Sequence, residues 1–405
     1  MKLGRVALIS LAVARATAQS LSQALSNQSE LSLLSTYIQS KPNLRNLFGN
    51  HKNITILAPE NSALEKLIPA DFNSSRALPN ADLVQGIITY HILNGTWNTS
   101  KFTKSSRFLP TFLINSAWEN MTTGQVVQVF KENNTTNCTS GLAAKAKFLK
   151  SNIAFDNGLI HVINDVLTLP QTLSVTALAA NLTSFVGAMN ITNSTRNINS
   201  AQNITVFAPN NDGWDRISSA TANMSDSNLS RVVDYHVIPD TIVYSSDMRN
   251  RTLRTKMGTD VHLSVINGTA FVNSAKVVST DLLVHNGVLH VLADALNPNN
   301  SSAKPEPKAK PQPVAFGGAN SRPPNRLTSG VPTPTSVIPL PAATSISGRN
   351  GQTETPRPTP TSATTSSPGT GTTTNTPGSP GAAPVETAMA GVAAILGVGA
   401  ILINA

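Results

Sequence analysis

The stretch NITILAPEN at residues 53–61 decides the fold, because NITVFAPNN at 203–211 repeats it 150 residues later with six of nine letters in place. Ile-Thr-Ile-Leu and Ile-Thr-Val-Phe are short β-rich runs. Each stops at Ala-Pro, where proline takes a donor out of the ladder. SALEKLI (62–68) follows the first copy with helical spacing, and Asn61 stands where an N-cap belongs.

The repeat runs on. QGIITYHILNGT (85–96) pairs with RVVDYHVIPDTI (231–242), and DNGLIHVINDVLTLP (156–170) pairs with HNGVLHVLADALNP (285–298). Leu229, Val232, Val233 and His236 fall at i, i+3, i+4 and i+7, one face of a helix. Leu83, Val84, Ile87, Ile88 and His91 do the same in the first copy. Asn157-Gly158 and Asn286-Gly287 read as hairpin turns, each leading into an alternating strand, LIHVI or VLHVL. Each unit is therefore α+β, with helices leading a mainly antiparallel sheet. The units span 19–170 and 171–298, each of ordinary single-domain size. The first is longer: 67 residues separate His91 from Gly158, against 51 from His236 to Gly287. The surplus includes MTTGQ (121–125) and KENNTTNCTSG (131–141), polar and full of sequons, which predicts a solvated surface loop.

Both ends carry processing signals. Residues 1–18 hold Lys2 and Arg5, the apolar run VALISLAV and then Ala16-Thr17-Ala18, the layout of a signal peptide. A buried N-terminal helix is the plainer alternative. At the other end, small residues, a polar spacer and the apolar tail 388–405 make a GPI-attachment signal. Gly381 fits the lipidation position, with Gly378 and Asn375 as alternatives; a tail-anchored transmembrane helix is the competing reading. Secretion agrees with 19 N-x-S/T sequons, among them Asn27, Asn73, Asn94, Asn98, Asn120, Asn181, Asn190, Asn223, Asn250 and Asn267. Asn53 and Asn203, which open the repeated stretch, are sequons too. From 299 to 387 Pro, Thr, Ser, Gly and Ala dominate and apolar periodicity vanishes, so this segment reads as a disordered, O-glycosylated stalk. As fully extended polyproline II it could reach over roughly 200 Å as an upper limit.

The net charge of +9 does not mark a basic face. The leader holds three of the positives and residues 301–388 a net +4, which leaves +2 for residues 19–300 and argues against nucleic acid as a partner. The single cysteine, Cys138, forbids an intramolecular disulfide, so each domain stands on its apolar core. Cys138 reads as a bystander, with an intermolecular disulfide as the alternative.

No nucleophile elbow, zinc-protease, Walker or dinucleotide pattern occurs, and one cysteine cannot build a thiolate metal site. These absences imply no catalytic residue, no metal and no cofactor. The histidines recur as a constellation, His91 with His161 and His236 with His290. They read as core imidazoles on apolar faces, or as a metal or catalytic pair in each domain.

The order T-x-x-A-P-x-N, then Tyr-His, then N-G-x-x-H-V resembles the fasciclin (FAS1) domain, here twice in tandem over about 280 residues. Thr55 to Pro59 and Thr205 to Pro209 carry its first conserved stretch, Tyr90-His91 and Tyr235-His236 its central pair, Asn157 to Val162 and Asn286 to Val291 its second. With leader, stalk and tail, the whole is similar to a fungal GPI-anchored fasciclin-like surface protein. The resemblance implies a β-wedge or sandwich flanked by helices, and a non-enzymatic role in cell adhesion or cell-wall and matrix organisation. Its partners would be wall polysaccharide or surface and matrix proteins, and the membrane through the GPI lipid. It further implies Tyr90, His91, Tyr235 and His236 as an adhesion surface, against a structural role for the same four. A purely structural wall glycoprotein without a discrete partner and an endomembrane or vacuolar protein are the rival readings.

Overall fold

The computed structural model describes residues 19–66, 81–322, 325–334, 336–343 and 346. The first domain forms strands β1 (Ile54–Pro59), β2 (Ile92–Asn94), β3 (Arg107–Pro110), β4 (Val126–Glu132), β5 (Thr135–Thr139), β6 (Lys145–Phe155) and β7 (Gly158–Ile163). The second forms β8 (Ile204–Pro209), β9 (Val237–Ile238), β10 (Arg251–Arg254), β11 (Asp260–Ile266), β12 (Thr269–Val272), β13 (Ala275–Val284) and β14 (Gly287–Leu292). The sheets have one topology, β2-β1-β7-β6-β5-β4-β3 and β9-β8-β14-β13-β12-β11-β10. The first and last strands of each copy, β1 with β7 and β8 with β14, pair in parallel, and all other pairings are antiparallel.

The repeated stretch thus lies inside each sheet, every residue of β1 and β8 buried. Its threonine has a specific task. Thr55 Oγ1 donates to Gly95 O at 2.8 Å and accepts from Trp97 N–H at 2.9 Å. Thr205 Oγ1 does the same with Thr241 O at 2.7 Å and Val243 N–H at 2.9 Å. A buried hydroxyl needs such partners, and here it clips down the loop that follows the Tyr-His helix.

Two local expectations are corrected. Asn61 is the first residue of its helix, Asn61–Glu65, and not the cap. Its amide reaches back instead, Oδ1 accepting from Leu33 N–H at 3.0 Å, and Asn211 repeats this with Ser184 at 3.0 Å. The Asn-Gly glycines do not form the hairpin turns, which are Asp156-Asn157 and His285-Asn286. Gly158 and Gly287 instead lie against the neighbouring parallel strand. A Cβ there would stand 1.8 Å from Ile54 O and 1.9 Å from Ile204 O. The preceding asparagines fasten the helix before β1 or β8, Asn157 Nδ2 donating to Phe48 O at 3.0 Å and Asn286 Nδ2 to Ile198 O at 2.8 Å.

The surplus of the first copy is a solvated loop only in part: Thr122, Thr123 and the hairpin tip Glu132 to Thr135 are exposed, and the rest is packed. KENNTTNCT closes the β4–β5 hairpin inside the sheet. The largest difference lies between β3 and β4, where residues 111–125 stand in place of the five residues 255–259 of the second copy. That longer segment turns onto the second domain, and Gln125, fully buried, donates from Nε2 to Val284 O at 3.1 Å. Leu142 and Ala143, both left-handed at φ 54°, follow the same direction into the apolar cluster of the second domain. Phe108 and Tyr244 stack across the boundary with ring centres 4.0 Å apart. Polar composition misled at Asn120, Thr122 and Gln125, which find partners on the second domain.

The disordered stalk does not begin at 299. The described part of 299–346 lies over the second domain. Leu327 is fully buried, and Phe316 and Ile338 join its cluster. Ile338 N–H donates to Ala179 O at 2.9 Å, and the Arg216 guanidinium holds both the Asp294 carboxylate and Gln312 O. Gly187 makes this contact sterically feasible, since a Cβ there would meet Leu327 O at 1.5 Å. Composition hid this strap because its apolar anchors come singly among Pro, Gly and Ser. The leader 1–18, the stalk residues 347–387 and the tail 388–405 with Gly381, Gly378 and Asn375 lie outside the described residues.

Candidate functional site

The repeated histidines are brought together with the same geometry in both domains. His91 closes the helix Ala81–Tyr90, and its Nδ1 lies 2.7 Å from Ile87 O, one turn back. Its Nε2 accepts from Leu167 N–H at 2.9 Å. A ring nitrogen that accepts carries no proton, so the proton sits on Nδ1 and is donated to the carbonyl. His236 repeats this with Val232 O at 2.7 Å and Leu296 N–H at 2.9 Å. Burial holds both imidazoles down at about 4, the carbonyl bond only partly opposing it.

The second pair carries the other tautomer. His161 Nδ1 accepts from Asn152 N–H at 3.1 Å, and Nε2 lies 2.7 Å from Trp97 O. His290 does so with Asp281 N–H at 3.2 Å and Val243 O at 2.7 Å. Burial lowers both. The donors Asn152 and Asp281 sit at bulges in β6 and β13 with φ of 62° and 65°, a conformation that Asn and Asp tolerate. The bulge turns one N–H out of the ladder and onto the imidazole. Neither residue announces that role in the sequence, because one is an amide and the other an acid.

All four imidazoles therefore have both nitrogens spent on the main chain, leaving no lone pair for a metal or a substrate proton. Among the described residues no group of three His, Cys, Asp or Glu has metal-binding proximity. The Cys138 thiol faces the core of the first domain, and burial pushes it up to about 12. It is neutral and inert at physiological pH.

The expectation that Tyr90, His91, Tyr235 and His236 form an adhesion surface is corrected. Both tyrosines are fully buried, as is His236, and His91 is buried too. The tyrosine hydroxyls are structural: Tyr90 Oη donates to Val126 O and Tyr235 Oη to Asp260 O, both at 2.9 Å, at the first residues of β4 and β11. The helical face runs one residue further round than periodicity placed it, because the aromatic ring fills the gap between helix and sheet.

The sequons divide by surroundings. Asn27, Asn94, Asn181, Asn190, Asn223, Asn250 and Asn267 are exposed, Asn98 is half-buried and caps the turn at 99–101, and Asn73 lies outside the described residues. Asn120 is different. It sits between the domains, its Nδ2 donating to Ser200 O at 2.9 Å and its Oδ1 accepting from Gln202 Nε2 at 2.9 Å.

The Fasciclin domain model matches residues 29–170 and again 180–298. This chain belongs to the fasciclin family. As a member it is similar to a fasciclin-like arabinogalactan protein of Arthroderma benhamiae, 41% identical over 329 residues, covering 81% of this chain and 78% of that one. It is also similar to a protein of the same description from Phaeosphaeria nodorum, 28% identical over 282 residues, with 69% and 89% covered. The solved FAS1 domain pair of the insect cell adhesion molecule Fasciclin I aligns with 67% of this fasciclin chain and 98% of its own at 19% identity. Its TM-score of 0.33 bears no weight on how the two domains are arranged.

Proposed function

We propose that this fasciclin chain is an exported surface glycoprotein, held by a GPI lipid, whose FAS1 pair mediates cell adhesion or organises the cell wall. The observation that carries this reading is the complete main-chain pairing of the four repeated imidazoles. The histidines common to both domains are spent on folding, which supports action through surfaces and glycans. The relatives' description as fasciclin-like arabinogalactan proteins supports a place at the cell surface or in the wall. Individually weak contacts become useful when many copies cluster on one membrane, because linked sites multiply their affinities.

Phospholipase that cuts GPI should release the protein from intact cells. Purified protein should bind wall polysaccharide, matrix protein or whole cells, and a deletion strain should attach less firmly or build an altered wall. Normal attachment and an intact wall in that strain would count against the proposal. Binding to nothing in the screen, with a wall defect in the strain, would favour a purely structural wall component.

A further inference from the structure

The longer β3–β4 segment of the first domain contains a sequon, Asn120-Met121-Thr122, and β8 of the second is entered through another, Asn203-Ile204-Thr205. The fold presses one onto the other. Thr122 donates to Asn203 Oδ1 from its N–H at 3.0 Å and from its hydroxyl at 3.3 Å. The Asn120 N–H donates to His285 O at 2.9 Å, and the Asn120 side chain is held at both ends by Ser200 and Gln202.

These are the atoms that N-glycosylation uses. Transfer joins the Asn Nδ2 to C1 of the first N-acetylglucosamine and breaks the bond from C1 to the lipid diphosphate. The diphosphate leaves with the electron pair and the displaced amide proton goes to the transferase base. Asn120 Nδ2 faces two carbonyls of the second domain, Ser200 O at 2.9 Å and Ala201 O at 3.5 Å, so a sugar ring attached there competes with residues 200–202 for the same space. We propose that a bare Asn120 is the condition for the docked pair: a glycan on this residue and contact between the two domains exclude each other. Occupancy of one sequon then decides whether the domains form one rigid unit or two bodies joined near residue 170. Asn120 is synthesised before Gln202 and His285, so the choice is made before the second domain can dock. The exposed sequons Asn27, Asn181, Asn223 and Asn267 have no such consequence.

The test compares the full chain from a glycosylating host with the same chain from a host without N-glycosylation, alongside Thr122→Ala, which removes the sequon but keeps the backbone bond. Site occupancy is read by mass spectrometry after enzymatic deglycosylation in heavy-oxygen water. Docking is read by hydrogen exchange of the Asn120, Thr122 and His285 amides and by the maximum dimension in small-angle scattering. Bare chains should protect these amides at least about tenfold more than chains carrying a glycan at Asn120, which should also be longer. Asn120→Cys provides the forced case, since Cys138 is buried and leaves the new thiol the accessible one. Alkylated with a chitobiose iodoacetamide it should open the pair, and capped with a methyl group it should not. Protected amides in a chain with a sugar at position 120, natural or attached, would overturn the proposal. So would unprotected amides in the bare chain.

Discussion

His236 Nε2 accepts from the backbone N–H of Leu296 at 2.9 Å, tying the end of the helix Asp226–Tyr235 to the chain leaving β14. His91 makes the equivalent bond to Leu167 in the other domain. Each ring is neutral, buried and committed to two main-chain groups.

Acid should therefore unfold the protein through these rings. Folded His91 and His236 titrate at about 4, while the unfolded chain binds the proton near the ordinary 6.5. Their neutral form is favoured in the fold, so no stability is lost above pH 6.5. It falls as pH drops from 6.5 to 4, by about 3 kcal/mol for each ring, and levels off below. Thermal melts from pH 7 to pH 4 check this. A melting temperature that is flat across that window would contradict the assigned protonation.

Replacing His236 with Phe keeps the ring volume but orphans the Val232 carbonyl and the Leu296 N–H. The expected cost is about 2–4 kcal/mol in denaturant unfolding, with the His236 share of that domain's pH dependence removed and the share of buried His290 left in place. A variant as stable as the parent at pH 7 would mean that water reaches the site.

The strap should be a working part of the second domain. Protein ending at residue 298 exposes the pocket filled by Leu327, Phe316 and Ile338. It should bind a hydrophobic dye and melt lower than protein ending at 346. Gly187→Ala drives a methyl into Leu327 O and should cost about 2–4 kcal/mol in the longer protein. In the shorter one the same change should cost far less, because nothing remains to collide with. Equal costs in both would place the strap elsewhere.

Gly287→Ala should prevent folding of the second domain. Its Cβ would lie 1.9 Å from Ile204 O, so the parallel β8–β14 pairing would have to part. The yield of folded protein and cooperative unfolding measure this. A cooperative transition of normal amplitude would show that the strands can separate without loss.

Cys138 should resist thiol reagents in the folded protein and react fully after denaturation, since burial pushes its thiol up to about 12. Rapid labelling of native protein at pH 8 would indicate that β5 opens readily.

Repetition made much of this legible. Two copies of one stretch 150 residues apart fixed the domain count, and periodicity put Leu229, Val232, Val233 and His236 on a single buried face, as found. The candidate site was half legible. His91 and His236 declared themselves by recurring on apolar faces. Their partners did not, because backbone N–H and C=O groups of Leu167, Leu296, Ile87 and Val232 leave no mark in side-chain identity.

By itself the sequence determined what local chemistry and repetition can express: strands ended by Ala-Pro, amphipathic helices, an α+β unit built twice, and the absence of any familiar catalytic pattern. Only the tertiary structure decided where long-range partners lie. It turned the extra residues of the first copy into a domain contact, brought two sequons face to face, and laid a Pro- and Ser-rich segment over Gly187. The physical reason is that a polar group is satisfied equally well by water or by a distant carbonyl. Its own chain neighbours do not record which of the two it meets.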